Sequence, residues 1–174
     1  MNSIIEFIEN KIMDKEKVQK CVVDWKTKNK KIVFTNGCFD ILHHGHVEYL
    51  AKSAEIGDKL IIGINSDESV KELQKSQGRP INKQDSRAYL IAALGFVDAV
   101  VIFNEPTPIQ LIQLIKPSVL VKGGDYNADQ KDVFSKNYIV GSDIVLEYGG
   151  QVKTIPLKSG FSTTSIISEI RKIN

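Results

Sequence analysis

The sequence predicts an α/β fold built on a doubly wound, five-stranded parallel sheet. Three features carry this expectation: short apolar runs that recur along the chain, amphipathic helical patterns between them, and turn or cap residues at the junctions. The runs are "KIVFT" from Lys31, "KLIIGI" from Lys59, "AVVIF" from Ala99, "SVLVK" from Ser118 and "QVKTI" from Gln151. The first four are almost continuously apolar, as strands covered on both faces are.

Helical patterns separate these runs. After the first, Val47, Leu50, Ala51 and Ala54 recur at the spacing of one helix face. After the second, Ser66 or Asp67 can cap a short helix reaching Leu73. "SRAYLIAALG" predicts a helix ending at Gly95. "TPIQLIQLIKP" predicts another, with Thr107 as N-cap, Pro108 at the first helical position and Pro117 past its end. "SDIVLEYGG" and "STTSIISEIRKI" supply the last two. Residues 1–30 fall outside this rhythm and predict one or two amphipathic helices, an extension packed on the edge of a domain over residues 31–174. The polar stretch "NADQKDVFSKN" reads as a surface insertion.

Composition narrows the function classes. The chain has 174 residues, 42% hydrophobic and 25% charged, with a formal net charge of +2. That is ordinary for one globular domain, and the lack of a basic block argues against a nucleic-acid partner. No stretch approaches the ~18 apolar residues of a membrane span. Cys21 and Cys38 have no disulfide framework around them, so a cytoplasmic setting is expected.

All three histidines fall in "FTNGCFDILHHGHVEYL", as His43, His44 and His46. The stretch lies at the carboxyl end of the first strand and the mouth of the following helix, where open parallel sheets bind ligands. A metal site, a phosphate site and surface placement compete there. Zinc would want about four N, S or O ligands, and only Cys38 stands near. Phosphate suits the place better, because free N–H groups and the helix dipole favour an anion and imidazoles can donate to its oxygens. Gly37 and Gly45 let backbone approach a ligand. Neither the P-loop nor the dinucleotide glycine pattern is present. No metal ligand is therefore assigned.

"GCFDILHHGHVEYL" and "FSTTSII" resemble the two signatures of the H-x-G-H nucleotidyltransferases. "GDKLIIGINSDESV", "GRPIN", "RAYLIAALGFVDAVVIF", "LVKGGDY", "YGGQVKTIP" and "GFSTTSII", in this order, extend the resemblance to the heptose 1-phosphate adenylyltransferases over roughly residues 31–172. The resemblance implies a Rossmann-like sheet of the nucleotidyltransferase type. It also implies transfer of the adenylyl group of ATP, with Mg²⁺, to D-glycero-β-D-manno-heptose 1-phosphate. The ADP-heptose formed would serve lipopolysaccharide core or another heptose-containing glycan. ATP and the sugar phosphate would be the partners, and a homodimer or higher homo-oligomer is left open. His43 and His46 would be catalytic. Phe39, Asp40, Gly45, Lys122, Gly124, Asp125, Ser162, Thr163 and Thr164 would bind nucleotide; Lys75, Arg79 and Arg87 would meet the substrate phosphate. His44, at the variable place in the motif, would be exposed or packing. Cytidylyltransferase relatives carry arginine where this chain has Leu157. A cytidylyltransferase acting on glycerol 3-phosphate or a similar polyol phosphate, or an ATP-sensing module of the same fold, are the alternatives.

Overall fold

The computed structural model describes residues 3–73, 78–124 and 126–173. Its elements run α1 (Ile4–Glu9), α2 (Lys15–Thr27), β1 (Ile32–Gly37), α3 (His44–Ala54), β2 (Lys59–Asn65), α4 (Asp67–Glu72) and α5 (Gln84–Ala92). There follow β3 (Ala99–Phe103), α6 (Ile109–Ile115), β4 (Val119–Gly123), α7 (Ser142–Glu147), β5 (Gln151–Ile155) and α8 (Thr163–Ile173). All pairings among the five strands are parallel, in the order β3-β2-β1-β4-β5. The expected fold class is therefore the observed one.

The apolar runs explain the two-sided core. Successive strand residues face opposite ways, so Ile32 and Phe34 enter one cluster and Val33 the other. On one face Leu50 of α3 and Ala88 and Ile91 of α5 pack with Leu60, Ile62 and Val121. On the other, Leu111, Ile112 and Ile115 of α6 and Val145 of α7 pack with Ile61, Val101 and Leu120. The chain thus moves outward from β1 to β3 with helices on one face. It then crosses back beyond β1 to β4 and β5 with helices on the other. The reversal falls between β1 and β4, the place where doubly wound sheets open a ligand crevice.

Three expectations are corrected. The N-terminal segment is two helices, but α2 is not confined to the edge: Val18 and Val22 are buried in the same cluster as Ile32, Phe34, Ile61 and Ile115. Only the link between α1 and α2 follows the sheet edge, where the Met13 N–H donates to Val100 O and the Val100 N–H to Lys11 O. These bonds occupy backbone groups that an edge strand otherwise exposes. In α6 the N-cap is Pro108, not Thr107, and no side chain caps the helix. Helix α5 likewise starts at Gln84 and stops at Ala92, before Gly95, because the chain turns tightly as Leu94 N bonds Ile91 O and Val97 N bonds Leu94 O.

If α2 is part of the core, Val18→Ala should cost about 2 kcal/mol through lost burial and the cavity left behind. Thermal denaturation checks this. An unchanged melting temperature would mean that α2 lies outside the cooperative unit.

Candidate functional site

Strands β1 and β4 pair only at Val33–Val119 and Phe34–Leu120. Beyond that point they separate, and the side chain of Tyr49, from α3, stands between them. Its hydroxyl lies 2.6 Å from Thr35 Oγ1 and donates to Val121 O at 3.3 Å. One residue further along, Lys122 Nζ donates to Asn36 O and to Asn36 Oδ1 at 3.3 and 2.7 Å. Side chains thus replace the missing ladder hydrogen bonds. Burial pushes the Tyr49 phenol up to about 12, so it stays protonated. The gap opens into a cavity of about 430 Å³, lined among others by Asn36, Gly37, Phe39, His46, Arg79, Lys122, Gly123 and Thr163.

The mouth of α3 forms one wall. His43 is the N-cap, and its Nδ1 accepts from the His46 N–H at 3.3 Å. Desolvation lowers the His43 pKa, which favours the neutral ring at pH 7. A neutral ring whose Nδ1 accepts carries its proton on Nε2, which leaves a donor for a ligand. The His43 and His46 rings stack, with centroids 3.7 Å apart, and Phe39 meets His46 edge-on at 5.2 Å. Phe39 sits in the left-handed region at φ 47°, a conformation that L residues seldom adopt. It is also buried, so its ring is a packing element beneath the histidine pair.

Asp40 fixes the opposite lip. It is buried, and its carboxylate accepts from Arg79 Nε at 2.9 Å, Ile81 N at 2.7 Å and Asn82 N at 3.0 Å, while Asn82 Nδ2 donates to Asp40 O. The "GRPIN" segment is thereby tied to the β1–α3 loop, and Arg79 is held at the cavity wall. Arg87 is a correction. Expected to meet the substrate phosphate, it is fully buried, and it donates to Asn82 O, Cys38 O and Asp67 Oδ1. With its nitrogens so directed, it braces the loops behind the cavity and does not line it. Asp40 likewise acts through its carboxylate on the loop.

The remaining wall comes from β4, β5 and α8. Leu157 is packed so closely over the end of β4 that a Cβ on Gly123 would lie 2.8 Å from it. Gly124, at φ 91°, belongs to a second cavity that Leu157 also lines, together with Lys158, Phe161 and Ser162. Ser162 Oγ accepts from the Ser165 N–H at 3.0 Å, the pattern of a helix cap. Thr163 reaches the main cavity, whereas Thr164 is exposed on the first turn of α8. Gly45 is buried against Phe161 and His43. His44 is exposed, as expected, beside Glu48 and Phe161. The expected contributions of Lys75 and Asp125 lie outside the described residues.

Sequence reasoning did not select Asn36, Cys38, Tyr49, Asn65 or Tyr126, all of which line the main cavity. A signal existed for two of them. Asn36 and Asn65 are polar residues closing otherwise apolar strands, and Asn65 is buried, linked to Cys38 Sγ at 3.8 Å and to Ser69 Oγ at 3.0 Å. Among the described residues, no group of three or more His, Cys, Asp or Glu side chains could hold a metal ion, and no helix is long and apolar enough to cross a membrane.

Comparison with known proteins agrees with this geometry. The cytidylyltransferase-like domain family matches residues 34–169. The chain is 50% identical over 164 residues to "Bifunctional protein HldE" of Pseudomonas fluorescens (strain Pf0-1), a match covering 94% of this chain and 33% of that protein. It is 52% identical over 163 residues to the protein of the same name from Campylobacter concisus (strain 13826), covering 94% and 31%. The chain thus spans about a third of the length of the curated relatives it matches. Among solved structures, the lipopolysaccharide core biosynthesis protein from Thermoplasma volcanium GSS1 is similar, at a TM-score of 0.55 and 27% identity, covering 74% of this chain and 97% of that one. Pantoate-beta-alanine ligase from Francisella tularensis shares the fold, at a TM-score of 0.54 and 14% identity, covering 92% of this chain and 76% of that one. With its sheet order, its histidine-bearing helix mouth and a family match over most of its length, the chain belongs to the cytidylyltransferase-like family.

Proposed function

We propose that this chain transfers the adenylyl group of ATP to D-glycero-β-D-manno-heptose 1-phosphate. The observation that carries the reading is the convergence of two helix mouths on the crevice between β1 and β4. One brings His46, on which His43 stacks, and the other Thr163, with Ser162 beside it at the second cavity. Two such mouths and a lysine make a cradle for several phosphates. About 50% identity to HldE proteins over most of the chain favours this reading over a polyol-phosphate cytidylyltransferase or an ATP sensor. The name of the Thermoplasma volcanium neighbour agrees in kind with a heptose product. The chemistry is assigned to residues 31–174, with α2 as a support from the N-terminal segment, and the setting is the cytoplasm.

In the reaction a phosphate oxygen of the sugar 1-phosphate attacks the α-phosphorus of ATP. The bond from that phosphorus to the oxygen bridging to the β-phosphorus breaks, and pyrophosphate leaves. The nucleophile is already an anion, so positioning and stabilisation of spreading negative charge supply the acceleration. In this reading the Nε2 of neutral His43 and the ring of His46 donate to phosphoryl oxygens, and Ser162 and Thr163 donate from the other side. Backbone at Phe39 and Asp40 holds the nucleotide, Lys122 adds positive charge, and Gly123 and Gly124 let the base and ribose approach. Arg79, held by Asp40, faces the sugar phosphate. A Mg²⁺ ion would enter on the nucleotide's own oxygens and would neutralise charge on the leaving pyrophosphate.

Removing one preorganised donor should lower turnover by about 10²–10³-fold. His43→Ala and His46→Ala are expected to show this loss in a pyrophosphate-release assay with unchanged far-UV circular dichroism, while His44→Ala stays much closer to the parent. Equal losses at all three positions would contradict the assignment.

Base preference is a separate test. In this reading backbone at Gly123 and Gly124 meets the base edge, with Leu157 beside them in place of a charged side chain. ATP should exceed CTP in kcat/KM by at least about 10²-fold, equivalent to roughly 2.7 kcal/mol of differential transition-state binding. CTP used equally well with heptose 1-phosphate would overturn the choice of base and leave nucleotidyl transfer standing.

A further inference from the structure

Helix α8 carries part of the phosphate cradle, yet none of its residues is buried. Its first turn must therefore be held in place by something other than its own core packing. The segment leading into it, residues 156–162, rests on α3. Lys158 Nζ donates to Glu48 Oε2 at 2.8 Å, and Glu48 Oε1 accepts from Lys52 Nζ at 2.7 Å. His44 Nε2 lies 3.4 Å from the same Glu48 Oε2, and its ring stands 4.8 Å from that of Phe161. Phe161 in turn approaches α3 so closely that a Cβ on Gly45 would lie 3.2 Å from its own Cβ. The hydrogen bonds from Lys158 and Lys52 pull the Glu48 carboxyl down to about 2, so the acceptor stays charged at any working pH.

This arrangement joins the two helix mouths of the site. Glu48 lies one turn into α3, behind His43 to His46, and Lys158 lies four residues ahead of Ser162. We propose that Glu48 and Lys158 are positioning residues for ATP: their ion pair docks the 156–162 segment on α3 and so sets the spacing between the donors at the two mouths. Neither side chain lines the main cavity, and Lys158, which borders the second one, has its Nζ turned to Glu48. His44 contributes the apolar half of the contact through Phe161, which gives the middle histidine of the motif a task that phosphate binding does not supply.

The inference rests on the adenylyltransferase reading, and the two can fail separately. An exposed ion pair contributes little, so its loss should raise the ATP KM, and the Kd for ATP alone by calorimetric titration, about three- to fivefold. Glu48→Gln and Lys158→Met should each do this, leaving kcat, the KM for heptose 1-phosphate and the melting temperature close to the parent values. Lys158→Arg should restore ATP affinity. The double variant should be no worse than either single one, because both remove the same contact. Unchanged ATP affinity in the single variants, additive losses in the double one, no rescue by arginine, or a falling melting temperature with uniform loss of all constants would each overturn the proposal. A parent protein that binds ATP but releases no pyrophosphate would defeat the catalytic reading alone, and the titrations would still decide the latch.

Discussion

The site depends on the early end of the β1–β4 ladder. Two parallel strands that kept pairing to their ends would close the middle of the sheet, and no crevice would form at the topological switch. Here pairing stops at Phe34 and Leu120. The backbone groups released beyond it must still find partners, since buried unpaired peptide groups cost about as much as a lost hydrogen bond. Tyr49 and Lys122 supply them from side chains, at Val121 O and Asn36 O. The bulk of the tyrosine ring and the reach of the lysine keep the strands apart while satisfying what the separation exposes.

Buried charge then fixes the rim. Asp40 is out of contact with water and would be costly if unpaired. Three donors from residues 79–82 meet it, so the loop has little freedom to leave. Arg87 does the same from behind, joining α5 to the loops after β1 and β2 through Cys38 O, Asn82 O and Asp67. The α8 side is built differently, from exposed contacts of low individual strength. One wall of the crevice is therefore held by buried polar networks and the other by exposed contacts between residues 156–162 and α3.

Four of the five strands were legible because they are apolar on both faces, a pattern that few other settings produce; the edge strand β5 is largely exposed. "AVVIF" and "QVKTI" mark β3 and β5 at their ends, and the remaining strands shift by one or two residues. The histidine-bearing helix mouth was legible for a similar reason: His43, at the expected junction, caps α3. What stayed hidden depends on distant pairing. Nothing local in "SRAYLIAALG" says that Arg87 points inward, because its partners Cys38 and Asp67 lie 49 and 20 residues away. Tyr49 reads as one more apolar helix position until the β1–β4 register is known. Val18 and Val22 gave no sign that α2 shares the sheet's core, since an amphipathic helix does not say which surface it will cover.

The most direct test is a crystal structure with ATP and Mg²⁺. The expected result is triphosphate density between the α3 mouth at His43 and His46 and the α8 mouth at Ser162 and Thr163, with the base beside Gly123 and Gly124. Nucleotide bound elsewhere on the chain, with the crevice between β1 and β4 left without it, would contradict the assignment.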